Sequence, residues 1–135
     1  MTLGTLIARW RAAPRGLFLV DGAGALLSAV TLGVVLPYFA TALGTTENAL
    51  RMLAAAPVLF AAYDLAARAT PALHTRTGLR VIAAANGSYP LFSSVVLASD
   101  GVPLSGFGLA YFGLEFTVVV ALAGLEWHVA RGLPR

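Results

Sequence analysis

The chain contains no cysteine and no lysine, and only 11% of its 135 residues are charged. The lack of cysteine excludes disulfides, thiol chemistry and cysteine-ligated metals. The lack of lysine excludes the glycine-rich phosphate loop that ends in that residue. An average soluble domain is about 25% charged. A chain that is 59% hydrophobic, with a mean hydropathy of +0.82, is therefore read as a membrane protein. All nine basic residues are arginine, and alanine, glycine and leucine dominate, as in proteins of GC-rich bacterial genomes. A pI near 10.0 would point to nucleic acid in a soluble protein. Here the arginines cluster at the ends of apolar runs, so no nucleic-acid partner is expected.

Conventional site motifs are also missing. His74 falls in a loop and His128 at the last turn of a span, so no in-bundle histidine pair can hold a haem, and no hydrolytic triad can be assembled. Glu126 and His128 are two residues apart and point to different helix faces, a poor metal pair. Asp21-Gly22-Ala23-Gly24-Ala25 superficially matches a dinucleotide loop but lies inside an apolar run with no strand before it. Asn86-Gly87-Ser88, a formal glycosylation acceptor, is likewise inside a run. No cofactor and no metal are expected.

What is present is four long apolar stretches. Met1 to Arg15 carries Leu3, Leu6, Ile7 and Trp10 at helical spacing among Arg9, Arg11 and Arg15, the pattern of an interfacial amphipathic segment. Spans follow at about 16–43, 48–69, 79–99 and 105–130, each long enough for a hydrocarbon core that needs about 20 residues. The first run is too long for a cleaved signal and is read as an uncleaved span bent near Gly33 and Pro37. The second carries Pro57 near its centre. The third is interrupted by Asn86-Gly87-Ser88-Tyr89-Pro90. The fold class expected is all-α, a transmembrane four-helix bundle with no room for a soluble domain. Arg9, Arg11, Arg15, Arg68, Arg76, Arg80, Arg131 and Arg135 fall on one side, and only Arg51 on the other. The positive-inside rule then places both termini in the cytoplasm, in the bacterial cytoplasmic membrane. So strong a bias argues against the dual topology of small multidrug transporters.

A rise of 1.5 Å per residue assigns depths to the polar residues. Asp21, Asp64 and Glu126 lie within ~8 Å of the arginine-rich edge, Asn86 ~10 Å in, and Tyr89 and Glu115 ~15 Å in, near the midplane with Ser28, Thr31 and Thr117. Asp64 and Glu126 are expected to form interfacial ion pairs with Arg68, Arg80 or Arg131. Glu115 has no basic residue at its depth. A carboxyl near the midplane costs roughly 2.5–3.5 kcal/mol on insertion scales, so it requires a partner or a purpose.

The candidate acid/base residues are Glu115 and Asp21, and the candidate ligand-binding residues are Asn86, Tyr89, Tyr111 and Ser28. Three readings fit them. The first is an intramembrane carboxylate site that binds or moves a small ligand, ion or proton. The second is an acid–base enzyme acting on a lipophilic, isoprenoid-like molecule, with the tyrosines and phenylalanines lining its pocket. The third is a non-catalytic subunit or assembly factor of a larger membrane complex. The lipid bilayer is a partner in all three, and homo-oligomerisation is compatible with each.

Three segments carry a resemblance: Val20 to Leu27 (VDGAGALL), Ile82 to Tyr89 (IAAANGSY) and Tyr111 to Glu115 (YFGLE). They resemble motifs in an uncharacterised family of small bacterial four-span integral membrane proteins. The resemblance extends over nearly the whole chain and carries no assigned activity. It implies the bundle, and it implies that Asp21, Asn86 and Glu115 act together.

Overall fold

The computed structural model describes residues 2–70 and 74–134. It is all-helical, with an amphipathic helix α1 (Leu3–Ala12) followed by four helices long and apolar enough to cross a membrane: α2 (Gly16–Leu43), α3 (Glu47–Ala69), α4 (Thr75–Ser99) and α5 (Gly106–Arg131). The chain is thus a multi-pass membrane protein.

Local chemistry sets where these helices begin and change. Thr46 Oγ1 accepts from the N–H of Ala49 to cap α3, and Ser105 Oγ accepts from the N–H of Gly108 to cap α5. Pro37 lacks an N–H and its ring crowds the carbonyl four residues back. The chain accommodates this by widening to a π turn over Thr31–Val35, where the Leu36 N–H reaches the Thr31 carbonyl, then tightening to a 3₁₀ turn over Leu36–Phe39. Gly33 sits in that turn, where an added Cβ would lie 3.2 Å from the Cβ of Ala54 on α3.

The expected interruption of the third span does not occur: α4 runs unbroken through Asn86 to Pro90 and starts at Thr75, four residues before the expected Leu79. Pro90 removes one ladder bond, the one to the Asn86 carbonyl, and a membrane gives the remaining backbone groups no alternative to the helix. The added first turn carries Arg76, whose long side chain suits the interface.

The spans pack as two pairs. α2 lies along α3 and α4 lies along α5, with a lighter α3–α4 contact between the pairs. α2 and α5 approach chiefly at one end, where the Ser105 hydroxyl donates to the Ala42 carbonyl at 2.6 Å and the Ser105 N–H to the Leu43 carbonyl at 3.0 Å. Gly44 closes this end with φ 70°, and Gly108 lies directly against the Leu43 carbonyl. Asp100 ties the two short loops together, accepting from the Thr45 hydroxyl (2.8 Å), the Thr46 N–H (2.9 Å) and the Thr46 hydroxyl (2.6 Å). Two apolar clusters fill the ends of the bundle. Leu32, Leu36, Leu43, Leu50, Leu53, Leu97 and Phe112 occupy the loop-lock end. Leu17, Phe18, Ala67, Leu79, Ile82 and Val129 occupy the arginine-rich end, with Ile7 and Trp10 of α1 packed against them.

Gly108→Ala drives a methyl group into the Leu43 carbonyl and should separate α5 from α2, lowering the thermal midpoint in detergent by several degrees. Gly113→Ala has open space around it and should be neutral or stabilising by up to about 1 kcal/mol. Equal midpoints for the two variants would refute the close approach.

Hydrogen bonds from Thr46, and then Thr45, hold the Asp100 carboxyl below its usual range. The stability this adds is complete above the unfolded carboxylate value of about 3.9. It is lost as pH falls through the lower folded value. Asp100→Asn should therefore lower the unfolding midpoint at neutral pH, with the gap to wild type closing in strong acid. A gap independent of pH would show that the carboxylate is not the clamp.

Candidate functional site

Between the two apolar clusters lies a polar compartment. On α2 Asp21 is 3% exposed, on α3 Asp64 is 0%, on α4 Asn86 is 3% and on α5 Glu126 is 0%. The Asn86 Nδ2 donates to Asp21 Oδ2 at 2.9 Å and to Glu126 Oε2 at 3.3 Å, so one carboxamide joins three helices. Asp64 faces Asp21 from α3. Its approach depends on Gly22, where an added Cβ would lie 3.1 Å from the Asp64 Cβ. Neither oxygen of Asp64 has a hydrogen-bond partner, nor does Glu126 Oε1.

The expected ion pairs of Asp64 and Glu126 with arginine are not formed: among the described residues no arginine acts on either carboxyl. The guanidinium groups are engaged elsewhere. Arg15 donates to the carbonyls of Ala67, Arg68 and Thr70 at 2.8–3.0 Å, capping the end of α3. Arg11 donates to the His128 carbonyl at 3.3 Å, and Arg80 lies over the Trp127 ring, 5.6 Å from its centroid. Helix-terminal carbonyls need donors as much as carboxylates do, and they stand at the interface within an arginine's reach.

Glu115 forms the deeper layer. The Tyr89 hydroxyl donates to its Oε2 at 3.4 Å, a long bond, while Oε1 is buried without a partner. Ser28 on α2 and Tyr111 one turn back on α5 border the same carboxyl. The Tyr89 ring is fixed edge-to-face between Phe60 of α3 and Phe116 of α5, each at 6.2 Å. Asn86, Tyr89 and Asp21 are the partners the sequence suggests for Glu115; the structure supplies Tyr89 and adds Ser28, whereas Asn86 and Asp21 belong to the carboxyl cluster nearer the arginine-rich end.

A cavity of about 80 Å³ connects the layers, lined by Asp21, Asn86, Ser28 and Tyr89, with Gly24, Pro57, Phe60, Val118 and Leu122 completing its wall. At ~30 Å³ of liquid volume per molecule it has room for a few waters. It lies where α2 and α5 diverge, so Gly24 on one helix and Val118 on the other are also exposed on the outside of the bundle. Two members of the site, Asp64 and Glu126, were assigned by sequence to the interface instead. The signal for Asp64 was its continuation of the small-residue face Ala54, Pro57, Ala61, all buried in the structure.

Comparison with protein-family models, curated proteins and solved structures gave no match. The chemistry of the site therefore rests on its own geometry. Four buried carboxyl groups, an amide, a phenol and a hydroxyl make an array that can bind and exchange protons. Among the described residues no cluster of histidine and carboxylate suits a metal ion.

Asn86→Ala leaves Asp21 and Glu126 without their shared donor and should destabilise by about 1–3 kcal/mol. Asp64→Asn, which replaces an unpartnered carboxyl by a group that can donate to Asp21, should leave stability unchanged or raise it. Thermal unfolding of the purified protein measures both, and destabilisation by Asp64→Asn equal to that of Asn86→Ala would contradict this reading of the cluster.

Proposed function

We propose that this protein is an integral membrane proton-binding element. Its internal carboxyl groups take up a proton at the Asp21–Asn86–Glu126 layer and pass it through the cavity to Glu115. The observation that carries the reading is the burial of Asp21, Asp64, Glu115 and Glu126 without a basic partner, with a small cavity between the two layers that Asp21, Asn86, Ser28 and Tyr89 line. Carboxyls inside a membrane commonly mark proton paths. An uncompensated carboxylate in low dielectric is expensive, so such groups hold protons and release them when a water or a partner arrives. In this reading Asn86 orients Asp21 and Glu126, Asp64 is the neighbouring acceptor, Tyr89 and Ser28 position Glu115, and Tyr111 shields it.

The size of the cavity favours protons and water over a larger ligand. Pockets for drug-sized molecules measure about 300–1,000 Å³, well above the 80 Å³ here, which disfavours an isoprenoid-processing enzyme. The apolar clusters at both ends favour an occluded site over an open pore. By the positive-inside rule the arginine-rich end, and with it the shallower carboxyl layer, would face the cytoplasm.

Infrared difference spectra of the reconstituted protein between acid and alkaline pH should contain carboxylic C=O bands. Glu115→Gln and Asp21→Asn should each remove one band while the protein stays folded. In liposomes with an entrapped pH dye, the same variants should slow proton uptake about a hundredfold, the lower end of what a positioned acid or base contributes. Spectra identical to wild type, together with unchanged uptake, would overturn the proposal.

A further inference from the structure

We infer that the arginine-rich end carries a second site, separate from the carboxyl cavity, which binds a phosphate group presented by an anionic phospholipid or free in solution. A pocket of about 760 Å³ opens there between Pro14, the start of α4 (His74, Thr75, Arg76, Thr77 and Arg80) and the C-terminal Leu133 and Pro134. Among the described residues no carboxylate lines it, and Arg76 and Arg80 give it positive charge. This volume falls within the range of small-molecule sites and accommodates a lipid headgroup with its glycerol.

Independent features give the pocket a phosphate chemistry. The Arg80 guanidinium is held by its stack on Trp127, and its Nε is buried with no hydrogen-bond partner. Arginine offers phosphate a planar fork of donors, and a guanidinium already fixed by stacking loses less freedom on binding. His74, at the N-cap of α4, makes no side-chain cap bond. The first N–H groups of a 25-residue helix therefore have no acceptor within the helix, and they add the positive end of its dipole. Arg76 supplies a second guanidinium on the same wall. Pro14, Leu133 and Pro134 make the other wall apolar, suited to the glycerol and upper acyl chain of a lipid, and Trp127 is of the type that sits at headgroup level. Basic pockets beside membrane helices are an established way of holding anionic headgroups.

The chain has two tryptophans, Trp10 and Trp127, so Trp10→Phe leaves Trp127 as a reporter beside Arg80. This variant is placed in phosphatidylcholine nanodiscs containing a small fraction of brominated phosphatidylglycerol or, in parallel, the same fraction of brominated phosphatidylcholine. Enrichment of the anionic lipid should quench Trp127 much more strongly. Arg76→Gln with Arg80→Gln should weaken that enrichment by about tenfold or more. Arg51→Gln, at the opposite end, should leave it unchanged. Thr77→Glu adds a carboxylate at an exposed wall position and should repel the headgroup even if the double variant fails to fold. Inorganic phosphate that reverses the quenching would assign the site to phosphate groups in general, and resistance to it would assign the site to the phospholipid. Equal quenching by the two lipids, with no response of Trp127 emission to inorganic phosphate, would overturn the inference.

Discussion

The two hydrogen bonds donated by the Asn86 carboxamide are the interaction on which the interior depends. Lipid offers no water to unsatisfied groups, so a polar side chain in a span must find its partner on another helix. Asn86 has two N–H donors and uses them on Asp21 and Glu126, which fixes the rotation of α2, α4 and α5 about their axes at one level. The cluster is nevertheless expensive. A carboxyl at the centre of a span costs roughly 3 kcal/mol on insertion scales, less toward its ends, and this chain buries four. Over four groups that approaches the 5–15 kcal/mol by which a folded protein is stable at all. Packing alone is better served by leucine, because well-packed apolar residues often match or exceed buried ionic groups in stability.

Much of this was legible in the sequence, and the part that was not has a physical cause. Hydropathy located the four spans, because a hydrocarbon slab demands a minimum length of apolar chain. Counting residues from each helix end placed Asp21, Asp64 and Glu126 at one level and Tyr89 with Glu115 at another, because depth along a helix is fixed by its rise. Partner choice was not legible, since it depends on which helices adjoin and how each is rotated. Asn86 and Tyr89 are three residues apart on α4, yet they serve different layers. The arginines misled for a related reason. The nearness of Arg68, Arg80 and Arg131 in sequence or depth suggested ion pairs with Asp64 and Glu126, whereas Arg80 lies over the Trp127 ring instead. The proline in α4 misled because one lost ladder bond is a smaller perturbation in lipid than the end of a helix. The cavity had no signal in the chain at all. A void is what remains after four surfaces fail to meet, and no residue encodes it alone.

The compartment is bounded unequally. Toward the loops the two helix pairs are fastened by hydrogen bonds from Ser105 to Ala42 and Leu43, by the three bonds to Asp100, and by the contact of Gly108 with the α2 backbone. At the arginine-rich end, among the described residues, the pairs are joined by the Asn86–Asp21 bond, by the Tyr63 hydroxyl donating to the Gly78 carbonyl at 3.1 Å, by apolar packing, and by the strap of α1 held by Arg11. Arg15 does not add to these links, because it joins α2 to α3 within one pair. The apolar layer at this end is thinner in large side chains, with Leu17, Phe18, Leu79 and Ile82 standing where the opposite end has six leucines and a phenylalanine. In the proposed reading, the thinner apolar layer is the side from which water would reach Asp21 and Glu126, and the denser layer of leucines would keep Glu115 sealed from the loop end.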